Sequence, residues 1–474
     1  MTLRLLLLTI PFLLFTDNLF SQETEVSVNI LANDKIAEVN IDQEKFIDGI
    51  VRITDYLKDH FKTLSKDQKI GILMIAHKTG NPTYSCYSSP KLEKGEMDKL
   101  AKELGEIKIE NTKIVDFPIF FTVNAQADNL TLFEDFVNPV DQKRKDYERA
   151  DLKTKLQMNK DYAINEALPV LAAYEKMADS QFEGVQNLGK LVEKTDFSKP
   201  QDIMSLLNSN TNYWRAGLEM GIGNQIVPVT KIFILVSQGN LDYAKEFVDI
   251  VRMFSSSKNR TNDYLEEINW RLRLFHKELN AEVAKGVNLH DQEKYDEALT
   301  IYNELLKQYP QSSHALYEHY FSDNEKQVAE KKIEVGNTDN WFKVRDEVYR
   351  YNPLYGVDVK ATSGKEMYLI GRRQEIQTLF QKKEDKLKDV YKYAEIAQDL
   401  GVYDFAAQLF WFSVTFDKEN TEKALNNYLY CLDKLGETEI KTNFKVDCDK
   451  AFKKIEKEKQ AEMESNSLYQ LMAK

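Results

Sequence analysis

Apolar residues recur at helical spacing from the first quarter of the chain onward. The first such run consists of Phe46, Ile50, Ile53, Leu57 and Phe61. Steps of four and three residues place these side chains on one face of a helix. Asp42 precedes the run and is a suitable N-cap, because its carboxylate can accept hydrogen bonds from the free N–H groups of the first turn. The pattern therefore predicts an amphipathic helix that begins near residue 42.

Short apolar and β-branched runs on either side of this helix predict strands. Two weak strands are expected at residues 27–30 and 37–41. Residues 69–77 and 83–88 form two further runs, separated by a turn that contains Gly80, Asn81 and Pro82. Because Gly and Pro favour tight turns, this arrangement predicts a β-hairpin.

The same part of the chain ends in a helix and a strand. Apolar spacing predicts a short helix over residues 93–105, and alternation predicts a strand over residues 115–123. Pro118 lies within that strand. Because proline has no N–H to donate, we expect the strand to lie at a sheet edge or to carry a bulge.

From residue 141 onward the pattern is almost entirely helical, and one stretch has the spacing of a helical repeat. Its framework residues are Gly286, Tyr295, Ala298, Tyr302 and Pro310, at separations of 9, 3, 4 and 8 residues. Small residues at such intervals let two helices cross closely, while bulky residues fill the groove beside them. Pro310 cannot continue the second helix and ends it.

Residues 281–320 resemble a tetratricopeptide repeat, whose period is about 34 residues. Glu282 stands where that family has a Trp in its first helix. Weaker units lie at residues 232–253, around Gly239 and Ala244, and at residues 390–436, around Gly401, Ala406 and Phe410. The resemblance implies stacked helix pairs that bind a protein or peptide.

Residues 65–126 resemble the C-terminal domain of TonB-like proteins. The resemblance lies in the order strand, Lys78-Thr79-Gly80 turn, strand, short helix, and a strand entered through 116–119. In that family the domain adds strand edges to segments of outer-membrane receptors, which is a form of β-augmentation. A Pro-rich spacer and a C-terminal position, both typical of the family, are missing here.

Together these patterns predict a mainly α fold: an irregular helical-repeat solenoid with a small N-terminal α/β domain. The expected parts are a signal peptide at 1–22, the α/β module at 23–135, the solenoid at 136–440 and a charged capping helix or tail at 441–474. An irregular insertion is expected within the solenoid at about 323–389.

The N-terminus indicates export. Arg4 is followed by a nearly unbroken apolar run over residues 5–15 and then by polar residues. A run of this length suits a secretory signal peptide, which predicts a periplasmic or secreted protein; an uncleaved anchor is the alternative. Cys86, Cys431 and Cys448 form no close pair. Buried free thiols are the expectation, and oxidation of one pair is left open.

Charge and motifs argue against several functions. A formal net charge of −12 argues against nucleic-acid binding, which needs concentrated Lys and Arg. The six histidines form no metal-binding motif, and His314 and His319 stand five residues apart. No nucleophile elbow or phosphate-binding loop is present. We therefore expect no enzyme activity, no metal and no cofactor.

Aromatic residues are concentrated near the predicted insertion. Candidate peptide-binding residues are Tyr317, Tyr320, Trp341, Tyr349, Tyr351 and Tyr355. Such residues anchor partners when they line a concave surface. Their helical spacing favours packing in a core over peptide binding, so core packing is the main alternative.

Three functions follow from these observations. The first is an exported, non-enzymatic scaffold that binds a protein or peptide. The second is an accessory of outer-membrane transport that acts by β-augmentation through an exposed strand at 115–123, in association with a membrane complex. The third is a hydrolase with dispersed active-site residues. The partner and the oligomeric state are not determined by the sequence.

Overall fold

The computed structural model describes residues 24–32, 34–126, 128–174, 226–254, 262–359, 363–381, 389–417 and 419–436. The fold is mainly helical with a small sheet near the N-terminus, which confirms the predicted fold class. The signal segment and the predicted tail at 441–474 lie outside the described residues. The chain divides between Ala150 and Asp151 into two compact units, which we call the N-terminal and C-terminal units. The domain boundary predicted at residue 135 lies before helix α4 (Pro139–Arg149).

The N-terminal unit is built from four strands and four helices among its described residues. In chain order these are β1 (Val26–Ile30), α1 (Asp34–Asn40), α2 (Gln43–His60), β2 (Lys69–Ala76), β3 (Thr83–Ser89), α3 (Lys94–Leu104), β4 (Phe117–Val123) and α4. Asp42 caps α2, and its side chain accepts a hydrogen bond from the Lys45 N–H at 3.4 Å. The predicted hairpin is β2 and β3, paired antiparallel.

The strand predicted at a sheet edge lies in the interior of the sheet. The strand order is β1-β4-β2-β3, so β4 pairs with β1 on one side and with β2 on the other. Pro118 lies opposite Leu31, just past the last paired residue of β1, and its O accepts the Leu31 N–H at 3.1 Å. The N and O atoms of one strand residue face the same side, so the nitrogen of Pro118 also faces β1. The missing N–H therefore removes no hydrogen bond between β4 and β2. The edge prediction was wrong, and residues 115–123 do not supply an exposed strand.

The strand predicted at 37–41 was also wrong, because residues 34–40 form helix α1. Short apolar runs fit either period, and the structure buries Ile36, Ala37 and Val39 on a helix. Asn40 fixes the end of α1: its Oδ1 accepts the N–H groups of Ile114 and Val115, each at 2.9 Å.

The sheet has a core on each face. Helices α1, α2 and α3 cover one face, where residues such as Ile72, Phe117 and Phe121 are fully buried. On the other face, Leu73 and Phe120 pack against Phe133, which follows a short 3-10 turn at Leu130–Leu132. Burial on both faces explains why β4 contains an unbroken apolar run.

Among its described residues, the C-terminal unit consists of helices and the segments that connect them. Its helices are α5 (Leu152–Tyr162), α6 (Ile226–Gln238), α7 (Leu241–Phe254), α8 (Asn262–His290), α9 (Tyr295–Gln308), α10 (Ser313–Ala329), α11 (Asp339–Tyr351), α12 (Gly364–Gln381), α13 (Val390–Asp399), α14 (Tyr403–Phe416) and α15 (Thr421–Leu435). A π-helical turn, Ala163–Ala167, continues α5. Consecutive helices pack against each other, as α8 does against α9 and α13 against α14. The stretch 281–320 covers the end of α8, all of α9 and the start of α10.

The described residues of the expected irregular insertion at 323–389 are mostly helical. It contains the end of α10 and the whole of α11 and α12. The pattern of apolar residues did not predict helix α12, because two of its buried positions, Glu366 and Arg373, are charged. Arg373 donates to Pro353 O at 2.9 Å and lies over the Tyr349 ring at 3.6 Å, so its charge is accommodated by hydrogen bonding and ring stacking.

Among the described helices, none combines the length and apolar character needed to cross a bilayer. Cys86 is half-buried and Cys431 is buried, and both are free thiols. Burial raises the pKa of each thiol to about 12. Cys448 lies outside the described residues.

Candidate functional site

The crossing of α8 and α9 depends on a glycine. A Cβ atom at Gly286 would lie 2.4 Å from Tyr302 Cε1 and 2.8 Å from Tyr302 Oη. The ring of Tyr302 therefore lies against the backbone of α8. Ala298 and Tyr302 are fully buried at the same crossing.

The other framework residues of the predicted repeats occupy helix ends and contacts. Gly239 and Gly401 take positive φ angles of 84° and 74° in the turns that follow α6 and α13. Positive φ is readily available only to glycine, so these turns need it. The fully buried members of the weaker units are Ala244, Ala406 and Phe410. Tyr295 is the first residue of α9, and Pro310 follows its end.

A polar row joins α8 to α10 beside the Tyr302 crossing. Asn280 on α8 lies with Oδ1 at 3.2 Å from Nδ1 of His314 on α10. His314 Nε2 lies 3.7 Å from Oε1 of Glu318, one helical turn further along α10. Because Asn280 Oδ1 only accepts, Nδ1 of His314 carries the hydrogen and Nε2 faces Glu318. We call the surface around Asn280, His314, Glu318 and the exposed Asp291 the α8–α10 groove.

Glu318 is the most perturbed group of this groove. Its side chain is 17% exposed. Burial, and then the negative charge of Asp291, raise its pKa to about 7. Burial lowers the pKa of His314. Near neutral pH the groove therefore holds a partly protonated carboxyl group next to a neutral imidazole.

Two tyrosine hydroxyls lie in the same electrostatic field. Burial, and then the charge of Glu318, raise the pKa of Tyr302 to about 12. A side-chain hydrogen bond with Ser322 offsets part of this rise in the pKa. The neighbouring Ser322 hydroxyl is bonded to His290 Nδ1 at 2.8 Å. Burial and then Glu318 also raise the pKa of Tyr355, in the segment after α11.

A row of rings borders the groove. His290 stacks on Phe321 with centroids 4.9 Å apart, and Phe321 stacks on Tyr317 at 6.1 Å. Tyr355 lies 6.1 Å from both Tyr317 and His314. His290, Phe321 and Tyr355 keep partial exposure, so the groove has an aromatic side as well as a polar side.

The aromatic residues predicted to bind a peptide lie mainly in a core. Tyr317 and Tyr320 are each 8% exposed and Trp341 is 0% exposed, packed with Val348, Val357 and Ile370. Tyr349, Tyr351 and Tyr355 are half-buried. The burial of the first three favours the core-packing alternative, and of the six residues Tyr317 and Tyr355 belong to the row of rings that borders the groove.

Sequence reasoning did not identify Asn280, His314 or Glu318. It considered His314 with His319, five residues apart, and these do not share a helix face. His314 and Glu318 do share one, because four residues make about one turn. The sequence shows the four-residue spacing of His314 and Glu318, but nothing in it indicates that the carboxylate is buried.

A second buried polar network belongs to α7. Asp242 Oδ1 accepts from Tyr309 Oη at 3.1 Å and lies 3.0 Å from His276 Nε2, and its Oδ2 accepts the Ser313 N–H at 2.9 Å. His276 Nδ1 lies 2.7 Å from Leu272 O, so each ring nitrogen of His276 faces an oxygen atom. This network ties α7, α8 and the start of α10 together, and its groups are too buried to meet a ligand.

Among the residues that the structure describes, no three His, Cys, Asp or Glu side chains are grouped so as to hold a metal ion. Comparison with family models, curated proteins and solved structures found no match for this chain. The α8–α10 groove and the sheet are therefore the features from which a function can be inferred.

Proposed function

We propose that this chain is an exported, tetratricopeptide-like scaffold that binds a protein or peptide segment in the α8–α10 groove. The observation that carries the proposal is the half-buried Glu318, which has no Lys or Arg within 4 Å among the described residues. Ionisable groups whose pKa values are shifted by burial and by a neighbouring charge mark functional sites more often than ordinary surface groups do. Partly exposed rings next to it add apolar contact area.

Binding explains the groove better than hydrolysis does. A carboxyl group with a pKa of about 7 next to a neutral histidine could serve in acid–base catalysis. A hydrolase of this kind also needs a nucleophile or a positioned water, together with donors for the developing oxyanion. Ser322 is hydrogen-bonded to His290 but is fully buried, so a substrate could not reach it. We propose that the chain has no enzyme activity and uses no cofactor.

The compartment is part of the proposal and rests on residues 1–22 alone. The mass of the protein purified from its native cells tests it. Cleavage would reduce the mass by the signal segment, and recovery of the full-length mass from the soluble cytoplasmic fraction would contradict export.

Two matched substitutions test binding in the groove. Asn280→Arg adds bulk and charge beside His314, whereas Asn303→Arg makes the same change on an exposed position of α9. Each variant and the wild type are purified from native cells, and the co-purified proteins are identified by mass spectrometry. We expect a partner that is retained by Asn303→Arg and lost with Asn280→Arg. Equal recovery with both variants, or recovery of no partner by the wild type, would reject the groove as the binding site.

A second candidate is β-augmentation by the N-terminal unit. Strand β4 cannot serve, but β3 is a seven-residue strand that pairs with β2 on one side and forms an edge of the described sheet. Hydrogen exchange on the complex with the co-purified partner separates the two candidates. Protection of β3 amides supports β-augmentation, and protection confined to α8 and α10 supports the groove.

A further inference from the structure

We propose that the edge strand β3 pairs with β3 of a second copy of this chain, antiparallel and across a two-fold axis at Cys86. The two sheets then continue into each other. The α8–α10 groove takes no part in this contact. The second copy occupies the same edge that the β-augmentation candidate would offer to another protein.

The first observation is the direction of the backbone groups of β3. Pro118 O accepts the Leu31 N–H, so the even-numbered residues of β4 face β1 and the odd-numbered residues face β2. The registers of β4 with β2 and of β2 with β3 then make alternate residues of β3, beginning with Thr83, face β2. The residues whose N–H and C=O groups point away from the sheet are Tyr84, Cys86 and Ser88.

The second observation is that this edge is neither paired nor protected. Among the described residues, no hydrogen-bond partner is found for the outward N–H and C=O groups of Tyr84, Cys86 and Ser88, and the three residues are half-buried rather than buried. Natural sheets commonly protect an edge with charged side chains, proline or a bulge. Strand β3 has the sequence TYSCYSS and pairs with β2 through all seven residues without a bulge. Such an edge is suited to pairing with another strand.

The third observation is that β3 fits its own copy in register. Cys86 is the central residue of the strand, so a two-fold axis there pairs Cys86 with Cys86 of the copy, and Tyr84 with Ser88 of the copy. Each of these pairs exchanges two hydrogen bonds. All the outward N–H and C=O groups of both strands are then satisfied.

The side chains of the two strands also match in size. On the face covered by α1, α2 and α3, Tyr84 lies beside Ser88 of the copy. On the other face, Tyr87 lies beside Ser85 of the copy. Each tyrosine ring therefore meets a small polar side chain, and no two rings compete for the same space.

Charge does not oppose this contact. Strand β3 carries no charged side chain. Just past its end, Lys91 is paired with Asp135 at 2.8 Å. The charge of Asp98 on α3 acts on the Cys86 thiol, but Asp98 is exposed, so water and ions screen it from its copy.

Sedimentation equilibrium of the full chain across the micromolar range tests the contact. We expect twice the mass of one chain for the wild type and for Cys86→Ser, which keeps the backbone of the strand. Cys86→Pro removes the outward N–H and should weaken dimerisation about tenfold or more, because two hydrogen bonds are lost across the axis. The nitrogen at position 86 faces away from β2, so this change removes no hydrogen bond between β2 and β3. Circular dichroism shows whether each variant is folded.

Disulfide trapping tests the register without a proline variant. Facing residues that exchange hydrogen bonds in an antiparallel pair have Cα atoms about 5.5 Å apart, which a disulfide can span. Copper phenanthroline should therefore take two protons and two electrons from the two Cys86 thiols and leave a disulfide between them. Mass spectrometry of the peptides identifies the joined cysteines.

A cysteine at the neighbouring position controls for random collision. Ser85 is exposed, whereas Cys86 is half-buried. In the paired strands, position 85 and its copy are diagonal neighbours about 7–8 Å apart, which is too far for an unstrained disulfide. We expect Cys86→Ser combined with Ser85→Cys to form fewer cross-linked dimers than the wild type, although its thiol is more exposed.

The outcomes separate this contact from the proposed function. A wild-type chain that stays monomeric would overturn the proposal, and the β3 edge would remain open to another protein. A folded Cys86→Pro variant that dimerises like the wild type would also overturn it, as would stronger trapping at position 85 than at Cys86. None of these outcomes affects the groove, which Asn280→Arg tests separately.

Discussion

The hydroxyl of Tyr243 on α7 donates a hydrogen bond to Asp404 Oδ1 on α14 at 2.7 Å, although the two residues are 161 positions apart in the chain. Asp404 also pairs with Lys231 of α6 at 2.9 Å. The rings of Phe247 and Phe405 lie 5.3 Å apart beside this contact. Helix α7 therefore packs against α14, which lies far from it in the sequence. A solenoid in which each repeat contacts only its neighbours would lack this contact.

The contact between Tyr243 and Asp404 should stabilise the C-terminal unit measurably. Tyr243→Phe removes the donor and leaves Asp404 with Lys231, so we expect a loss of about 1–2 kcal/mol in the free energy of unfolding. Urea unfolding followed by tryptophan fluorescence reports this unit specifically, because all four Trp residues follow Asp151.

A double-mutant cycle with Asp404→Asn isolates the pair from other effects of each change. We expect the sum of the losses in the two single variants to exceed the loss in the double variant by about 0.5–3 kcal/mol. Simple additivity would show that the hydrogen bond contributes nothing to the closure between α7 and α14.

Asp242 should be far more important for stability than another aspartate of the same helix. Asp242→Ala leaves His276, Tyr309 and the Ser313 N–H without their buried acceptor, and we expect a loss of about 3–5 kcal/mol. Asp249→Ala on the same helix removes a partly exposed pair with Lys245, and we expect a loss below about 1 kcal/mol. Both are measured by the same urea unfolding, and similar losses for the two would contradict the network.

The Gly286 crossing gives a prediction with an internal control. A methyl group at position 286 would overlap the Tyr302 ring, so Gly286→Ala should destabilise the unit by about 1–3 kcal/mol or more. Gly371 lies within α12 with open space around it, and Gly371→Ala should stabilise by about 0.5–1 kcal/mol. Opposite shifts of the urea midpoint are expected, and a stabilising shift for Gly286→Ala as well would show that Tyr302 moves aside easily.

Glu318 should make the stability of the C-terminal unit depend on pH. Its folded-state pKa is about 7 and its ordinary value is 4.5, so between these values the folded protein binds more protons than the unfolded chain. Stability therefore falls as the pH rises through this window and is level above it. The Glu318→Gln variant has no carboxyl group to titrate at this position. Its free energy of unfolding, relative to that of the wild type, should therefore rise by on the order of 2 kcal/mol between a pH of about 4 and a pH of about 8.

Urea unfolding of both proteins across this range measures the difference. The difference between the two proteins removes the contribution of every other titrating group. A constant difference at all pH values would mean that the carboxyl group of Glu318 is solvated like an ordinary glutamate.

Local patterns predicted the elements whose buried faces are apolar. The spacing of Phe46, Ile50 and Leu57 predicted α2, and the turn at Gly80 predicted the β2–β3 hairpin. The pattern did not reveal α12, because Glu366 and Arg373 are buried with hydrogen-bonding partners. A pattern of apolar residues cannot identify a buried face that is partly charged.

The sequence alone determined which faces of the helices and strands are apolar, and where glycine and proline end them, because these properties depend on neighbours within about one turn or one strand. Only the tertiary structure decided that β4 lies inside the sheet, that α7 binds α14 through Tyr243, and that Glu318 is withdrawn from water. These features depend on which faces meet across long stretches of chain. The desolvation that raises the pKa of a carboxyl group exists only after those faces have met.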